Sequence, residues 1–123
     1  MSWQKRKGNR FERLIVEIAR RYGFNAQRAW ASDGRSFGEH SEVDVKVDKF
    51  KIQAKSRKKI AGYIKPSEHV DMQVIKEDRG KAYAVIEFER FLEILADWCH
   101  AEKRLELERA KEELDAQKGS EIL

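Results

Sequence analysis

The run from Glu42 to Lys55 constrains the fold of this chain more than any other segment. Val43, Val45 and Val47 alternate with Asp44, Lys46 and Asp48; then Phe50, Ile52 and Ala54 alternate with Lys51, Gln53 and Lys55. Alternation of period two sends apolar and polar side chains to opposite faces of a strand. Asp48-Lys49 joins the two runs, which predicts a β-hairpin with a two-residue turn. In that register 47 faces 50, 46 faces 51, 45 faces 52 and 44 faces 53. Asp44 then stands opposite Gln53, with Lys55 one pleat further along the same face. Directly opposed side chains lie about 5 Å apart at Cβ, near enough to share one metal ion. A carboxylate, an amide oxygen and an ammonium group on one sheet face suggest hydrolysis of a phosphodiester.

A chain of 123 residues supplies one domain with one core. Charged residues at 39% and hydrophobic residues at 41% describe a soluble globular protein rather than a disordered one. No apolar run approaches the roughly 20 residues of a membrane span, and no signal-type segment follows the basic Ser2-Trp3-Gln4-Lys5-Arg6-Lys7. Cys99 is the only cysteine, which excludes a disulfide framework and a cysteine zinc cluster and suits a reducing cytoplasm. The net charge of +4 conceals a segregation. Residues 1–65 hold 17 Lys or Arg against 7 Asp or Glu, and residues 66–123 hold 9 against 15. The half that carries the hairpin is therefore the basic one, at +10 against −6. Basic surface around a carboxylate centre suits a polyanion such as nucleic acid.

Phe11, Leu14, Ile15, Ile18 and Tyr22 recur at helical spacing, so residues 9–22 read as a helix stopped by Gly23. Residues 24–30 read as a strand, and Ala31 to Ser41 as a glycine-containing loop. Pro66-Ser67-Glu68 opens a short helical turn. Met72 to Lys76 and Lys81 to Phe88 read as strands joined by the turn Glu77 to Gly80. From Glu89 a helix places Phe91, Ile94, Leu95 and Trp98 on one stripe, with Phe91 and Trp98 assigned to the core. After His100 the chain is helical by propensity but has too few apolar positions for a core. The organisation expected is one α+β domain over 1–99 with a charged helical extension over 100–123.

Two carboxylates make a better cation site than one, and Glu12 is the acid available. On a helical wheel it falls roughly 100° from Phe11, at the margin of the apolar stripe and within reach of the sheet edge. Asn9-Arg10-Phe11-Glu12 also fits a capping-box variant, in which Glu12 would bond the backbone at Asn9. The two roles are compatible.

Taken in order, Glu12, Asp44 and Gln53-x-Lys55 resemble the PD-(D/E)xK nuclease superfamily, and within it the archaeal and phage-type Holliday-junction resolvases. Lys7-Gly8-Asn9-Arg10-Phe11-Glu12-Arg13 resembles that family's basic segment and acid-bearing helix. Arg28-Ala29-Trp30-Ala31-Ser32-Asp33-Gly34 resembles the arginine–serine–glycine segment before its metal-binding strand. The likeness covers about residues 7–95. Val43 replaces the usual proline, and Gln53 replaces the second acid, as in a Q-x-K branch that includes restriction-type nucleases. The resemblance implies a restriction-endonuclease-like αβββαβ core with a central mixed sheet flanked by helices.

It also implies a mechanism. Mg²⁺, for which Mn²⁺ would substitute, takes oxygen ligands and keeps several waters. Asp44, the Gln53 side-chain oxygen and the Ala54 carbonyl would hold it, with Glu12 completing the site. Catalysis is expected from Glu12, Asp44, Gln53 and Lys55, with Lys55 orienting the attacking water. Arg28 and Ser32 would lie beside the phosphate backbone, and Trp30 is the aromatic placed for DNA contact. Lys5, Arg6, Lys7, Arg10, Arg57, Lys58 and Lys59 would steer DNA. A resolvase makes paired cuts in a pseudo-two-fold substrate, so a homodimer is expected, in the cytoplasm of a bacterial, archaeal or phage-infected cell. The alternatives are an endonuclease of duplex DNA, as in restriction or repair, and a non-catalytic nucleic-acid-binding domain.

Overall fold

A computed structural model describes residues 2–29 and 34–122, with side chains as far as Gly119. Helix α1 runs Trp3–Arg21, six residues earlier than the apolar spacing suggested. The reason is local: the Ser2 hydroxyl oxygen accepts the Lys5 amide at 3.2 Å, an N-cap that the basic cluster concealed. At the other end Phe24 N–H donates to Ala19 C=O and Gly23 N–H to Arg20 C=O. These two bonds form a Schellman motif, and Gly23 takes the φ of +88° that it requires. With its first turn at Trp3, α1 leaves no capping role for Asn9 and Glu12, which lie in its interior.

Strands β1 (Ala26–Arg28), β2 (Val45–Val47) and β3 (Phe50–Ile52) form an antiparallel sheet in that order. Three pairs of the expected hairpin register form, Val45 opposite Ile52, Lys46 opposite Lys51 and Val47 opposite Phe50, while the fourth, Asp44 with Gln53, does not. Asp48 turns the chain at φ +53°, a left-handed conformation that aspartate tolerates. A second antiparallel pair, β4 (Met72–Lys76) and β5 (Ala82–Ile86), stands where two strands were expected, β5 ending two residues sooner because Phe88 opens the next helix. Helix α2 follows as one unbroken rod, Phe88–Ile122, and passes through position 100 without a break.

The α+β class is consistent with a restriction-endonuclease-like fold. Its details differ from the expectation in two ways. Among the described residues the strands form two antiparallel sheets rather than one mixed sheet. The Pro66 segment makes turns and no helix.

The core lies between α1, the hairpin and the first turns of α2. Ile15, Val16 and Ala19 of α1 meet Ala26, Val45 and Val47 of the sheet and Leu92 of α2, all buried. Phe91 packs edge-on to Phe50 at 5.5 Å between ring centroids, which seats α2 on the hairpin. Trp98 does not join them. It is 62% exposed because α2 has by then left the sheet.

Candidate functional site

Asp44 sits one residue before β2 and is held from both sides. Its carbonyl accepts the Ala29 amide at 2.8 Å, and its amide donates to Ile52 C=O at 2.9 Å. Registered pairing between β2 and β3 ends at Val45 with Ile52, so the chain beyond Ile52 leaves the ladder. The Asp44 carboxylate fills the gap: Oδ2 accepts the Ala54 amide at 2.8 Å. The structure thus brings Asp44 against the backbone of Gln53-Ala54-Lys55. The Gln53 and Lys55 side chains are exposed, and Ala54 is half-buried against the core.

Glu12 is the only charged or polar residue among those described to be buried, at 4% exposure. It stands within the packed face of α1, beside Ile15, Val16 and Ala19, and not at its margin. Arg28 of β1 compensates the charge, donating from Nε at 3.2 Å and Nη2 at 3.0 Å to Glu12 Oε2. Such charge-assisted bonds make burial of a carboxylate tolerable. Arg28 pairs with Val45 and shares its helix-facing side, whereas Asp44 alternates to the other side with Lys46. The two acids therefore approach one end of the sheet from opposite faces. Among the described residues no three His, Cys, Asp or Glu side chains cluster as metal ligands. A cation here would draw on neutral oxygens as well: the Gln53 amide and the Ala54 carbonyl are hard donors of the kind Mg²⁺ accepts. The donor set fits such an ion.

On the polar side of the hairpin, Lys46 and Lys51 are directly opposed like charges. Glu39 lies between them, at 3.4 Å from Lys46 Nζ and 3.3 Å from Lys51 Nζ. The Lys51 hydrogen bond, helped by that of Lys46, holds the Glu39 carboxyl below its ordinary 4.5. The sequence carries no local signal for this contact, because Glu39 reaches the strands from the preceding loop. That loop is pinned at Gly34: a Cβ there would lie 2.0 Å from the His40 carbonyl oxygen, a space only glycine can leave open.

The expected DNA contacts fall in two groups. Lys5, Arg6, Lys7 and Arg10 belong to the first turns of α1, all exposed except the half-buried Lys7. Arg57, Lys58 and Lys59 are exposed on the irregular segment after β3. Ser32, with Trp30 and Asp33, lies outside the described residues. Arg13 was not among the residues expected to contact DNA, although its three-residue spacing from Arg10 puts the two on one helix face. It lines three grooves around α1. One, of about 670 Å³, also holds Arg20, Arg21 and Arg28. A second, of about 480 Å³, runs past Lys7 and Arg10 to Ser56. The third, of about 560 Å³, includes Asn9 and Gln27.

The profile of the archaeal Holliday junction resolvase family matches residues 3–119. The chain belongs to that family. As an archaeal-type Holliday junction resolvase it is a nuclease of the PD-(D/E)xK superfamily, acting on branched DNA in recombination and repair. The match extends beyond residues 7–95 to take in the first turn of α1 and most of the charged length of α2. No curated protein and no solved structure gives a significant match. Among the described residues no helix is long and apolar enough to cross a membrane.

Proposed function

We propose that this resolvase cuts the junction with Mg²⁺ held at the Asp44 end of the hairpin, and that it does so as a homodimer. The observation that carries the first part is the Asp44 carboxylate bonded to the Ala54 amide, which aligns the acid with Gln53-Ala54-Lys55. Asp44, the Gln53 amide oxygen and the Ala54 carbonyl would hold the ion, and Glu12, from the opposite face, would complete the site through water. Bound there, the ion would polarise the scissile phosphate and acidify a water. Mn²⁺ would serve in its place. Lys55, exposed beside these groups, orients the attacking water and balances the charge that builds on the phosphate oxygens. The family's product pattern is a 5′-phosphate and a 3′-hydroxyl.

The dimer is supported by an apolar face left in solvent. Met72 and Val74 of β4 are 44% and 62% exposed and stand opposite Ile86 and Ala84 of β5. A two-stranded hairpin is marginal alone, and a second copy covering this face would supply the missing layer. Two copies would also give the two sites that paired cuts require.

Cleavage of a labelled four-way junction and of a matched linear duplex, each with Mg²⁺ and with EDTA, tests the reading. Paired cuts in the junction alone, only with metal, are expected. Equal cutting of both substrates would favour a duplex endonuclease. Cutting in EDTA would overturn the metal site.

A further inference from the structure

Helix α1 is divided lengthwise. Glu12, Ile15, Val16 and Ala19 are buried on one side. At about 100° per residue, Trp3, Arg6, Lys7, Arg10 and Arg13 fall on the other. Trp3 is 65% exposed at the head of this row, and Lys7 Nζ lies over its ring at 5.2 Å from the centroid. An indole so exposed adds nothing to the core, and the cation beside it fixes its orientation.

The chemistry of the row selects its occupant. A second copy would set four cations against the same four. A nucleic acid offers phosphates to the cations and a base to the ring, and base–aromatic stacking is the usual way proteins take hold of unstacked bases. From Trp3 to Arg13 the helix rises about 15 Å, roughly four nucleotide steps at 3.4 Å per strand. Glu12 lies across the helix from the row, so these contacts are separate from the scissile phosphate. A linear duplex keeps its bases stacked throughout; a branch point opened on binding interrupts the stacks and offers a base.

We propose that Trp3 stacks on an exposed base of branched DNA while Lys7, Arg10 and Arg13 hold the adjoining phosphates, making Trp3 a determinant of branch specificity. This rests on the resolvase reading for its substrate but not for its chemistry.

The test titrates the full chain and its Trp3→Phe variant with a four-way junction, a linear duplex and a single strand, following tryptophan emission and anisotropy. The difference between the two proteins isolates Trp3. Quenching of Trp3 by the junction and the single strand, and far less by the duplex, is expected. Trp3→Ala should weaken junction binding roughly 5- to 150-fold, the range of one lost stack, with Trp3→Phe largely retained. Arg13→Gln should weaken junction and duplex alike and lower the salt slope by about 1. Junction binding with unchanged Trp3 emission, or unchanged affinity in Trp3→Ala, would overturn the proposal. So would a Trp3 response to protein concentration without DNA, or to anionic vesicles in place of DNA. Trp3 quenching by a junction that is bound but never cut would support stacking and count only against the nuclease mechanism.

Discussion

Arg28 donates two hydrogen bonds to a single oxygen of Glu12, bridging β1 and α1 across sixteen residues of sequence. The Glu12 side chain is 5% exposed and that of Arg28 25%. Arg28 is thus the positive charge that compensates the buried Glu12 carboxylate.

Arg28→Gln should lower stability by about 1–3 kcal/mol, because it leaves a buried carboxylate short of partners. Glu12→Gln in the Arg28→Gln background should restore part of that loss. Urea unfolding of the two single variants and the double variant gives the coupling energy. Strict additivity would show that the pair is incidental.

Asp44→Asn should reduce cleavage at least about 100-fold, the scale on which even outer-shell changes to metal sites are felt. Junction binding should persist, since an asparagine oxygen can still accept the Ala54 amide and keep the strand end in place. Gel-shift and cleavage assays on one preparation separate the two effects. Substantial residual cutting would remove Asp44 from the metal site.

Gln53→Glu supplies the second carboxylate that the superfamily pattern has at this position. The added charge should lower the Mg²⁺ concentration at half-maximal cleavage, because hard cations bind more tightly as ligand charge rises. A Mg²⁺ titration of the cleavage rate is the check. An unchanged midpoint would place the Gln53 side chain outside the ligand set.

Glu39 gives a pH signature. Its folded carboxyl titrates below the ordinary 4.5, so its stabilising effect is complete above 4.5 and is lost as pH falls through the lower folded value. Glu39→Gln should therefore lower Tm at pH 6, leaving Lys46 and Lys51 opposed. The gap from the parent should close as pH falls below 4.5 and through the lower folded value. Thermal melts from pH 3 to 6 would show it; a gap that stays constant with pH would mean the carboxylate charge is not what matters.

Val74→Lys places a charge on the exposed face of β4. It should convert a species of twice 14.5 kDa into one of 14.5 kDa. Sedimentation at several concentrations measures this, and an unchanged dimer would move the interface elsewhere.

The hairpin register was legible in the sequence because one face of it is buried. A slip of one residue would turn Val45 and Val47 to solvent, so the pattern admits one solution. Strands β4 and β5 were legible from the turn between them. The start of α1 was not, because Gly8 and the basic cluster weigh against helix while the Ser2 cap is a single side chain. Glu12 was set at the margin of its helix because Phe11 and Leu14 were counted as the packed stripe. Leu14 is in fact 44% exposed, and Ile15, Val16 and Ala19 carry the packing. Contacts such as Arg28 with Glu12, or Glu39 with Lys46 and Lys51, depend on how elements meet and have no period to read. Among the candidate site residues, the sequence located the strand end that holds Asp44. It did not foresee that the acid meets the Ala54 amide, in place of the expected pairing of Asp44 with Gln53.

On the DNA contacts proposed above, helix α1 carries two jobs on one cylinder, and this sets how the segment can vary. Replacing every position in turn would produce two interleaved rhythms of period about 3.6. One beat, through Glu12, Ile15, Val16 and Ala19, would register as loss of soluble protein. The other, through Arg6, Arg10 and Arg13, would leave the fold intact and loosen its hold on DNA. A lineage could retune what it binds along the second beat without disturbing the first.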